Sequence, residues 1–258
     1  MRKIISFSGK GGVGKSTLLV LMLKYLLEKF KDLNILVIDA DPDANIGDII
    51  GKEIHFKETI GGKMTALKDK IQKRQIPLDV SKDQIIESEV FEALIEMDEF
   101  DILEMGRGEG SGCYCSVNNT LKRVIDVLSK NYDIVLIDAP AGLEYFARKT
   151  GRNVTDLVIV SDPSKMGIHT MKRILEVTKE VDLKFENIWV LGNRFPENLR
   201  EILKKEVSNI KEEYVKLLGF ISNDDEISKM NIIGENLLQL PTESIAYRKG
   251  KELFAKIV

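Results

Sequence analysis

Nine consecutive residues near the start of the chain carry the clearest chemical signal in this sequence. They are Gly9, Lys10, Gly11, Gly12, Val13, Gly14, Lys15, Ser16 and Thr17. They contain the complete pattern G-x-x-x-x-G-K-S, which is typical of loops that bind phosphate groups. In such a loop the glycines let backbone N–H groups surround a phosphate, the lysine bridges the terminal phosphates, and the serine hydroxyl holds Mg²⁺. We therefore expect these nine residues to bind a nucleotide, with Lys15 on the phosphates and Ser16 on Mg²⁺.

Lys10 is a second lysine in this loop and has no role in the ordinary pattern. It lies too early in the loop to be the lysine that bridges the phosphates. We therefore expect its charge to act elsewhere.

Acidic residues end two of the apolar segments. Asp39 and Asp41 follow the apolar run 35–38, and Asp138 follows the run 134–137. Ligands of open α/β sheets bind beyond the carboxyl ends of the strands, so these acids are expected beside the terminal phosphate. One of Asp39 and Asp41 can orient an attacking water while the other holds Mg²⁺ or its water shell, and Asp138 has the position of a further Mg²⁺ carboxylate. The alternatives are an acidic turn closed by Pro42 and an incidental acid at a strand end.

Asn193 and Arg194 follow a later apolar run at 188–191. An amide side chain at such a strand end can read the edge of a nucleobase, so we include both residues in the expected nucleotide site. A simple turn explains this pair equally well.

The two cysteines of the chain, Cys113 and Cys115, lie two positions apart and follow a glycine-rich segment. A C-x-C pair in a cytosolic chain is rarely a structural disulfide. Two thiolates are half of a tetrahedral Cys₄ site, and a two-fold dimer supplies the other half. Zn²⁺ accepts tetrahedral sulfur ligands, Ni²⁺ can take a flatter arrangement, and an iron–sulfur cluster is a third occupant. We therefore expect one metal per dimer, held by four thiolates; two cysteines that bind nothing are the alternative.

Alternating strands and helices are expected to position these residues. Strands are predicted at 3–7, 35–39, 100–105, 133–138, 157–160, 188–191 and 214–220. Helices are predicted at 16–31, 119–130, 167–181 and 198–208. Continuous runs of Val, Ile and Leu are typical of strands that are buried on both faces, and strand–helix alternation favours parallel pairing. The predicted fold class is α/β, with a mostly parallel central sheet flanked by helices on both faces.

Length, charge and composition limit the possible functions. The chain has 258 residues and a net charge of −3, from 38 Lys and Arg against 41 Asp and Glu. This balance predicts no nucleic-acid partner. No apolar run is long enough to span a bilayer, so we expect no stable membrane association. The first residues leave no room for a signal peptide, which favours a cytoplasmic location.

The domain organisation expected from the sequence is a single unit over residues 1–258. A charged, mainly helical insertion is expected at about 52–99, because this stretch interrupts the strand–helix rhythm. Within it, apolar residues recur at helical spacing over 82–97, which predicts an amphipathic helix there.

The loop and the acids together resemble the deviant Walker A branch of the phosphate-loop NTPases, which includes MinD, ParA and nitrogenase iron protein. The segment from Gly9 to Ser16 matches the loop of that family residue by residue, and the resemblance covers nearly the whole chain. It implies that Lys10 reaches across a homodimer to the partner's nucleotide, so that ATP lies between two subunits. It also implies that Asp41 positions the hydrolytic water and that Asp39 and Asp138 lie near Mg²⁺. Hydrolysis of ATP to ADP and phosphate would then be slow and would work as a switch, with Lys10, Lys15 and Asp41 as catalytic residues.

The segment around the cysteines indicates one particular family within this branch. The stretch from Met105 through Cys113 and Cys115 to Asn119 resembles the signature of the CooC family, although Gly108 stands where many members have proline. This implies a nickel-insertion ATPase whose client is carbon monoxide dehydrogenase or the acetyl-CoA synthase complex.

Two further functions stay open at this point. Four cysteines per dimer also suffice for a bridging cluster, which would make the chain an ATP-dependent iron–sulfur electron donor or carrier of the nitrogenase-iron-protein type. The other is a positioning or partitioning ATPase that binds membrane or DNA. Its signal would be the segment 244–258, which mixes apolar and basic residues. A helix with this pattern more often packs against its own domain.

Overall fold

An eight-stranded sheet forms the centre of the described part of the molecule. The computed structural model describes residues 2–41, 46–73, 75, 81–106, 128–141 and 153–258. The strands are β1 (Lys3–Gly9), β2 (Ile35–Asp39), β3 (Ile95–Glu96), β4 (Asp101–Glu104), β5 (Ile134–Asp138), β6 (Asp156–Ser161), β7 (Asn187–Asn193) and β8 (Val215–Ile221). Their order is β3-β4-β2-β5-β1-β6-β7-β8, and each neighbouring pair is parallel except β3–β4. The predicted mostly parallel sheet is therefore confirmed.

Helices cover both faces of this sheet. Those in the described residues are α1 (Lys15–Lys29), α2 (Ile46–Ile49), α3 (Ile60–Gln72), α4 (Lys82–Phe91), α5 (Lys165–Glu180), α6 (Arg200–Ser208), α7 (Asp225–Ile233) and α8 (Ile245–Phe254). Because side chains alternate along a strand, Ile5 and Phe7 of β1 enter one apolar core and Ile4 enters the other. Residues of α1 and α8 complete the first core, and residues of α5 and α6 complete the second.

The central strands end together at one edge of the sheet. In the parallel register, Asp39 of β2 lies opposite Asp138 of β5, and Phe7 of β1 lies opposite Asp138 on the other side. The loop that follows β1 therefore begins next to Asp138, and Asp39 lies one strand further along the sheet.

The prediction of a helix over 82–97 is wrong for residues 92–97. α4 ends at Phe91, and hydrogen bonds from Ala93 N to Val90 O and from Leu94 N to Phe91 O close a turn. The next residues form β3, which pairs antiparallel with β4 and places Ile95 opposite Ile102. Apolar spacing alone does not separate these outcomes, because the strand is stabilised by a partner later in the chain.

Two other helical segments bear on the sequence-based expectations. The sequence predicts a mainly helical insertion at about 52–99 but no particular helix at 60–72; α3 lies there and begins after Thr59, whose side chain accepts from Gly62 N and caps the helix. Most of the helix predicted over 119–130 lies outside the described residues. Among the helices that are described, none is long and apolar enough to cross a membrane.

Candidate nucleotide-binding site

The loop between β1 and α1 places glycine where no other residue fits. Gly9 has a φ of 152°, and a Cβ there would lie 2.3 Å from the carbonyl oxygen of Val160 on β6. Gly14 is the N-cap of α1 and has a left-handed backbone, and a Cβ there would lie 2.6 Å from Nδ2 of Asn193. The loop therefore packs closely against two strands and leads into the N-terminus of α1, where backbone N–H groups favour anions.

A cavity of about 460 Å³ opens over this loop and α1. This volume is within the range of small-molecule sites. Most of its lining was predicted from the sequence, and three lining residues were not: Asp48, Ile49 and Ala141. The full lining is Gly11, Gly12, Gly14, Lys15, Ser16, Thr17, Asp41, Asp48, Ile49, Ala141 and Arg194. Of the other predicted loop residues, Val13 is fully buried in the apolar core.

Ser16, which lines this cavity, is in direct contact with Asp138. Ser16 Oγ donates a short hydrogen bond to Asp138 Oδ2, while the buried Asp138 Oδ1 has no hydrogen-bond partner among the described residues. Burial, with the charge of Asp39 adding to it, raises the pKa of Asp138 well above its usual range. A buried carboxylate oxygen that lacks a donor, next to a serine hydroxyl, fits a hard cation such as Mg²⁺.

Asp39 holds the backbone that follows β2. Its Oδ1 accepts from Asp41 N at 3.1 Å, and its Oδ2 accepts from Ile46 N at 2.9 Å. This buried carboxylate thereby fixes both ends of the segment between Asp41, which lines the cavity, and α2. Its predicted place near Mg²⁺ stays a prediction, and the structure adds an anchoring contact.

Glu104 is a buried acid beside the site that the sequence reasoning missed. It ends β4 in register with Asp39, and its Oε1 accepts from Gly47 N at 2.9 Å. Burial raises the pKa of Glu104 to about 7; the hydrogen bond from Gly47 works against this shift, and the charges of Asp39 and Asp48 add to it. The signal that could have found it is the one used for Asp39 and Asp138, an acid that closes an apolar strand.

Asn193 and Arg194 bind the phosphate loop itself. Asn193 Nδ2 donates to Val13 O at 2.8 Å, and Arg194 Nη1 donates to Gly12 O at 3.3 Å. Arg194 has a φ of 57°, a conformation that is rare outside glycine and often found at functional sites. Holding the loop is therefore one role of both side chains.

A second cavity, of about 250 Å³, continues from the first. Thr17 and Arg194 line both cavities. The remaining lining comes from α1, the end of β7, the end of β8 and the residues after it, α7 and the start of α8: Leu18, Leu21, Asn193, Ile221, Ser222, Asn223, Asp224, Ile227, Ser228, Asn231, Ile232 and Ala246. Two adjoining cavities, one over the phosphate loop and one with apolar and amide side chains, suit the two ends of a nucleotide.

Lys10 points away from the cavity that Lys15 lines. Its Nζ lies 3.0 Å from Asp162 Oδ2 and 3.3 Å from Ser164 Oγ, beyond the end of β6. The predicted action of Lys10 on a partner's nucleotide stays a prediction.

Cys113 and Cys115 lie within 107–127, outside the described residues. Within the ranges that are described, no group of three or more His, Cys, Asp or Glu side chains has the arrangement of a metal site. The thiolate site therefore stays a prediction.

Comparison with known proteins agrees with this geometry. A family model described as an AAA domain matches residues 1–189. An ATP-binding protein of Methanocaldococcus jannaschii is 39% identical over 255 residues, which span 99% of this chain and 98% of that protein. The carbon monoxide dehydrogenase accessory protein CooC of Rhodospirillum rubrum is 30% identical over 191 residues, or 70% of each chain. The crystal structure of a ParA family ATPase from Chlorobium tepidum superposes with a TM-score of 0.71 at 15% identity, over 99% of both chains.

The fold, the phosphate loop and these similarities lead to one assignment. The parallel sheet with Gly9 to Ser16 between β1 and α1 is the phosphate-loop NTPase fold, and it agrees with the ParA family structure. The chain belongs to the AAA domain family and has the phosphate-loop NTPase fold that is seen in the ParA and MinD structures.

Proposed function

We propose that this ATPase is a nickel metallochaperone for the maturation of carbon monoxide dehydrogenase or the acetyl-CoA synthase complex. The observation that carries the proposal is the Cys113–x–Cys115 pair in a chain that is 30% identical to CooC over 191 residues. ATP bound at the nucleotide site described above would supply the energy that such a role requires. Four thiolates from two chains would bind one Ni²⁺ or Zn²⁺ ion as cargo.

The nucleotide-site residues divide the work of ATP hydrolysis. Lys15 and the loop amides bind the phosphates, and Asp41, at the cavity wall, orients the attacking water. Ser16 and Asp138, with Asp39 beside them, would hold Mg²⁺, whose charge offsets that of the phosphates.

Lys10 would act between two subunits. In the proposed homodimer, the nucleotide of one subunit faces Lys10 of the other, whose ammonium would stabilise charge that develops on the phosphates. Closure of the dimer would bring the two cysteine pairs together and change the geometry of the metal site. Slow turnover would make this closure a switch that releases the metal to its client.

Metal binding by the cysteines tests the proposal directly. We expect anaerobically purified protein to bind one Ni²⁺ or Zn²⁺ per two chains in equilibrium dialysis, and the Cys113→Ser/Cys115→Ser variant to lose this binding. His55 and His169 are the only histidines of the chain, so His55→Ala/His169→Ala is the matched control and should bind normally. Equal binding by the cysteine variant and the wild type would contradict the proposal. A brown, oxygen-sensitive preparation with iron and sulfide would favour the iron–sulfur alternative.

A further inference from the structure

Two buried carboxylates hold the first turn of α2. Asp39 Oδ2 accepts from Ile46 N at 2.9 Å. Glu104 Oε1 accepts from the next backbone amide, Gly47 N, also at 2.9 Å. The first N–H groups of a helix have no acceptor within it, so each carboxylate satisfies one of them. Asp39 ends β2 and Glu104 ends β4 in register with it, so two neighbouring strands fix where α2 begins.

Residue 47 is a glycine, which lets the carboxylate of Glu104 come close to α2. A Cβ at Gly47 would lie 2.8 Å from Glu104 Oε1 and 2.9 Å from the carbonyl oxygen of Lys52. Lys52 N also donates to Gly47 O at 2.9 Å, so the chain after α2 folds back onto the same residue. Glu104 is only 4% exposed, which keeps water from competing for Gly47 N. The contact between Glu104 and Gly47 is therefore buried and closely packed.

The exposed side of α2 forms part of the nucleotide cavity. Asp48 and Ile49 line this cavity together with Asp41. Asp41 lies five positions before Ile46 in the sequence, and its backbone N–H donates to Asp39 Oδ1 at 3.1 Å. The position of α2 therefore sets a wall of the cavity and also one end of the short segment that begins at Asp41.

The two carboxylates that hold α2 differ in their other roles. Asp39 accepts from Asp41 N and Ile46 N and is also expected beside Mg²⁺. Because Mg²⁺ and its waters demand a strict octahedral geometry, an Asp39 oxygen that turns to them gives up part of its amide contact. Glu104 lies outside the described lining of the cavity and accepts from Gly47 N. It can therefore hold α2 while Asp39 serves the cation.

We infer that Glu104 is a positioning residue for ATP hydrolysis, which holds α2 so that the cavity wall and Asp41 keep their places during the reaction. This inference rests on the proposed role of Asp41 in orienting the attacking water, and not on nickel delivery. A misplaced water-orienting group slows the chemical step. Lys15 and the loop amides would still bind the phosphates, so loss of the Glu104 contact should slow hydrolysis more than it weakens ATP binding.

Hydrogen exchange of nucleotide-free protein tests the contact by itself. Glu104→Ala removes the acceptor of Gly47 N, whereas Glu104→Gln keeps an oxygen there. We expect mass spectrometry to show the amides of 46–52 exchanging roughly 3- to 10-fold faster in Glu104→Ala than in the wild type, and Glu104→Gln to match the wild type. Asp156→Ala is the matched control: Asp156 is buried too but accepts from Trp189 Nε1 at the opposite edge of the sheet, so 46–52 should be unaffected. Equal exchange of 46–52 in Glu104→Ala and the wild type would overturn the inference.

Steady-state ATP hydrolysis tests the consequence for the reaction. We expect Glu104→Ala to lower kcat roughly 10-fold and to leave the KM for ATP within about 2-fold of the wild type. Glu104→Gln should restore kcat, because its amide oxygen accepts from Gly47 N. Asp156→Ala should lower stability but keep the wild-type kcat. Wild-type kcat in Glu104→Ala, or a kcat in Glu104→Gln as low as in Glu104→Ala, would refute the positioning role.

Gly47→Ala tests the same contact from the side of α2 and serves if Glu104→Ala fails to fold. Its added Cβ would push Glu104 Oε1 and Lys52 O away, so we expect a lower kcat here as well. An unchanged kcat in Gly47→Ala, or a wild type that does not hydrolyse ATP, would count against the inference. These rates need no nickel, so a failure of nickel binding in dialysis would reject the metallochaperone while the hydrolysis results still decide the role of Glu104.

Discussion

Glu104 shows how one buried acid beside the nucleotide site affects the stability of the protein. Its carboxylate accepts from Gly47 N and lies in register with Asp39, and burial raises its pKa to about 7 from an ordinary value of 4.5. Between these two pH values the folded state binds more protons at Glu104 than the unfolded state does. The contribution of Glu104 to the free energy of unfolding therefore falls as pH rises from about 4.5 and is lowest above about 7.

Replacing Glu104 by glutamine should remove this pH-dependent penalty. Glutamine keeps an oxygen for Gly47 N but carries no charge, so we expect Glu104→Gln to unfold like the wild type at pH 4.5 and to be about 1–3 kcal/mol more stable at pH 8. Urea denaturation at both pH values measures the difference. Glu89→Gln is the control: Glu89 is buried too but is paired with Lys70, so this variant should be less stable than the wild type at pH 8. Loss of stability at pH 8 in Glu104→Gln would contradict this account.

At the scale of elements, the end of β7 supports the phosphate loop. Asn193 donates to Val13 O, Arg194 donates to Gly12 O, and Gly14 has no Cβ to obstruct Asn193. The residue types at 193 and 194 predicted a site at this strand end. They did not predict that these side chains bind loop carbonyls, because the two segments are 180 positions apart.

We expect Asn193→Ala to weaken ATP binding roughly 3- to 10-fold, because the buried loop carbonyl of Val13 loses its donor. Isothermal titration with ATP measures this effect. Asn187→Ala is the matched control: Asn187 lies on the same strand at the opposite edge of the sheet, where it donates to Asp156. It should bind ATP as the wild type does. Equal affinity in both variants would show that the Asn193–Val13 contact does not support the loop.

At the scale of the whole molecule, the two lysines of the phosphate loop face different partners. Lys15 is buried and lines the cavity of its own chain, whereas Lys10 contacts Asp162 outside that lining. One lysine thus belongs to the nucleotide site of the single subunit. The other is held by Asp162 of the same chain, and its action on a second subunit stays a prediction.

Separate substitutions of the two lysines should therefore separate binding from assembly. Lys15→Ala should abolish ATP binding or turnover, because the phosphates lose their bridging cation. Lys10→Ala should keep ATP binding, measured by titration, but impair the ATP-driven increase in mass, measured by light scattering. Normal dimerisation and wild-type hydrolysis by Lys10→Ala would refute its role between subunits.

The sequence by itself determined the phosphate-loop motif and the mostly parallel sheet, because both depend on local patterns. The loop from Gly9 to Ser16 needs particular residues at particular spacings, and runs such as 35–39 are apolar because both faces of the strand are buried. The single domain with an insertion at about 52–99, and the thiolate metal site at Cys113 and Cys115, stay predictions.

Only the tertiary structure decided three further features: Lys10 pairs with Asp162, Glu104 accepts from Gly47 N, and the segment 95–96 forms a strand. The sequence did not predict them because each depends on residues that are not neighbours along the chain. Periodicity and motifs describe neighbours along the chain, whereas these contacts arise from strand order and register. The second lysine of the loop therefore predicted a separate role, but the sheet had to bring β1 beside β6 before its partner in the single subunit, Asp162, could be identified.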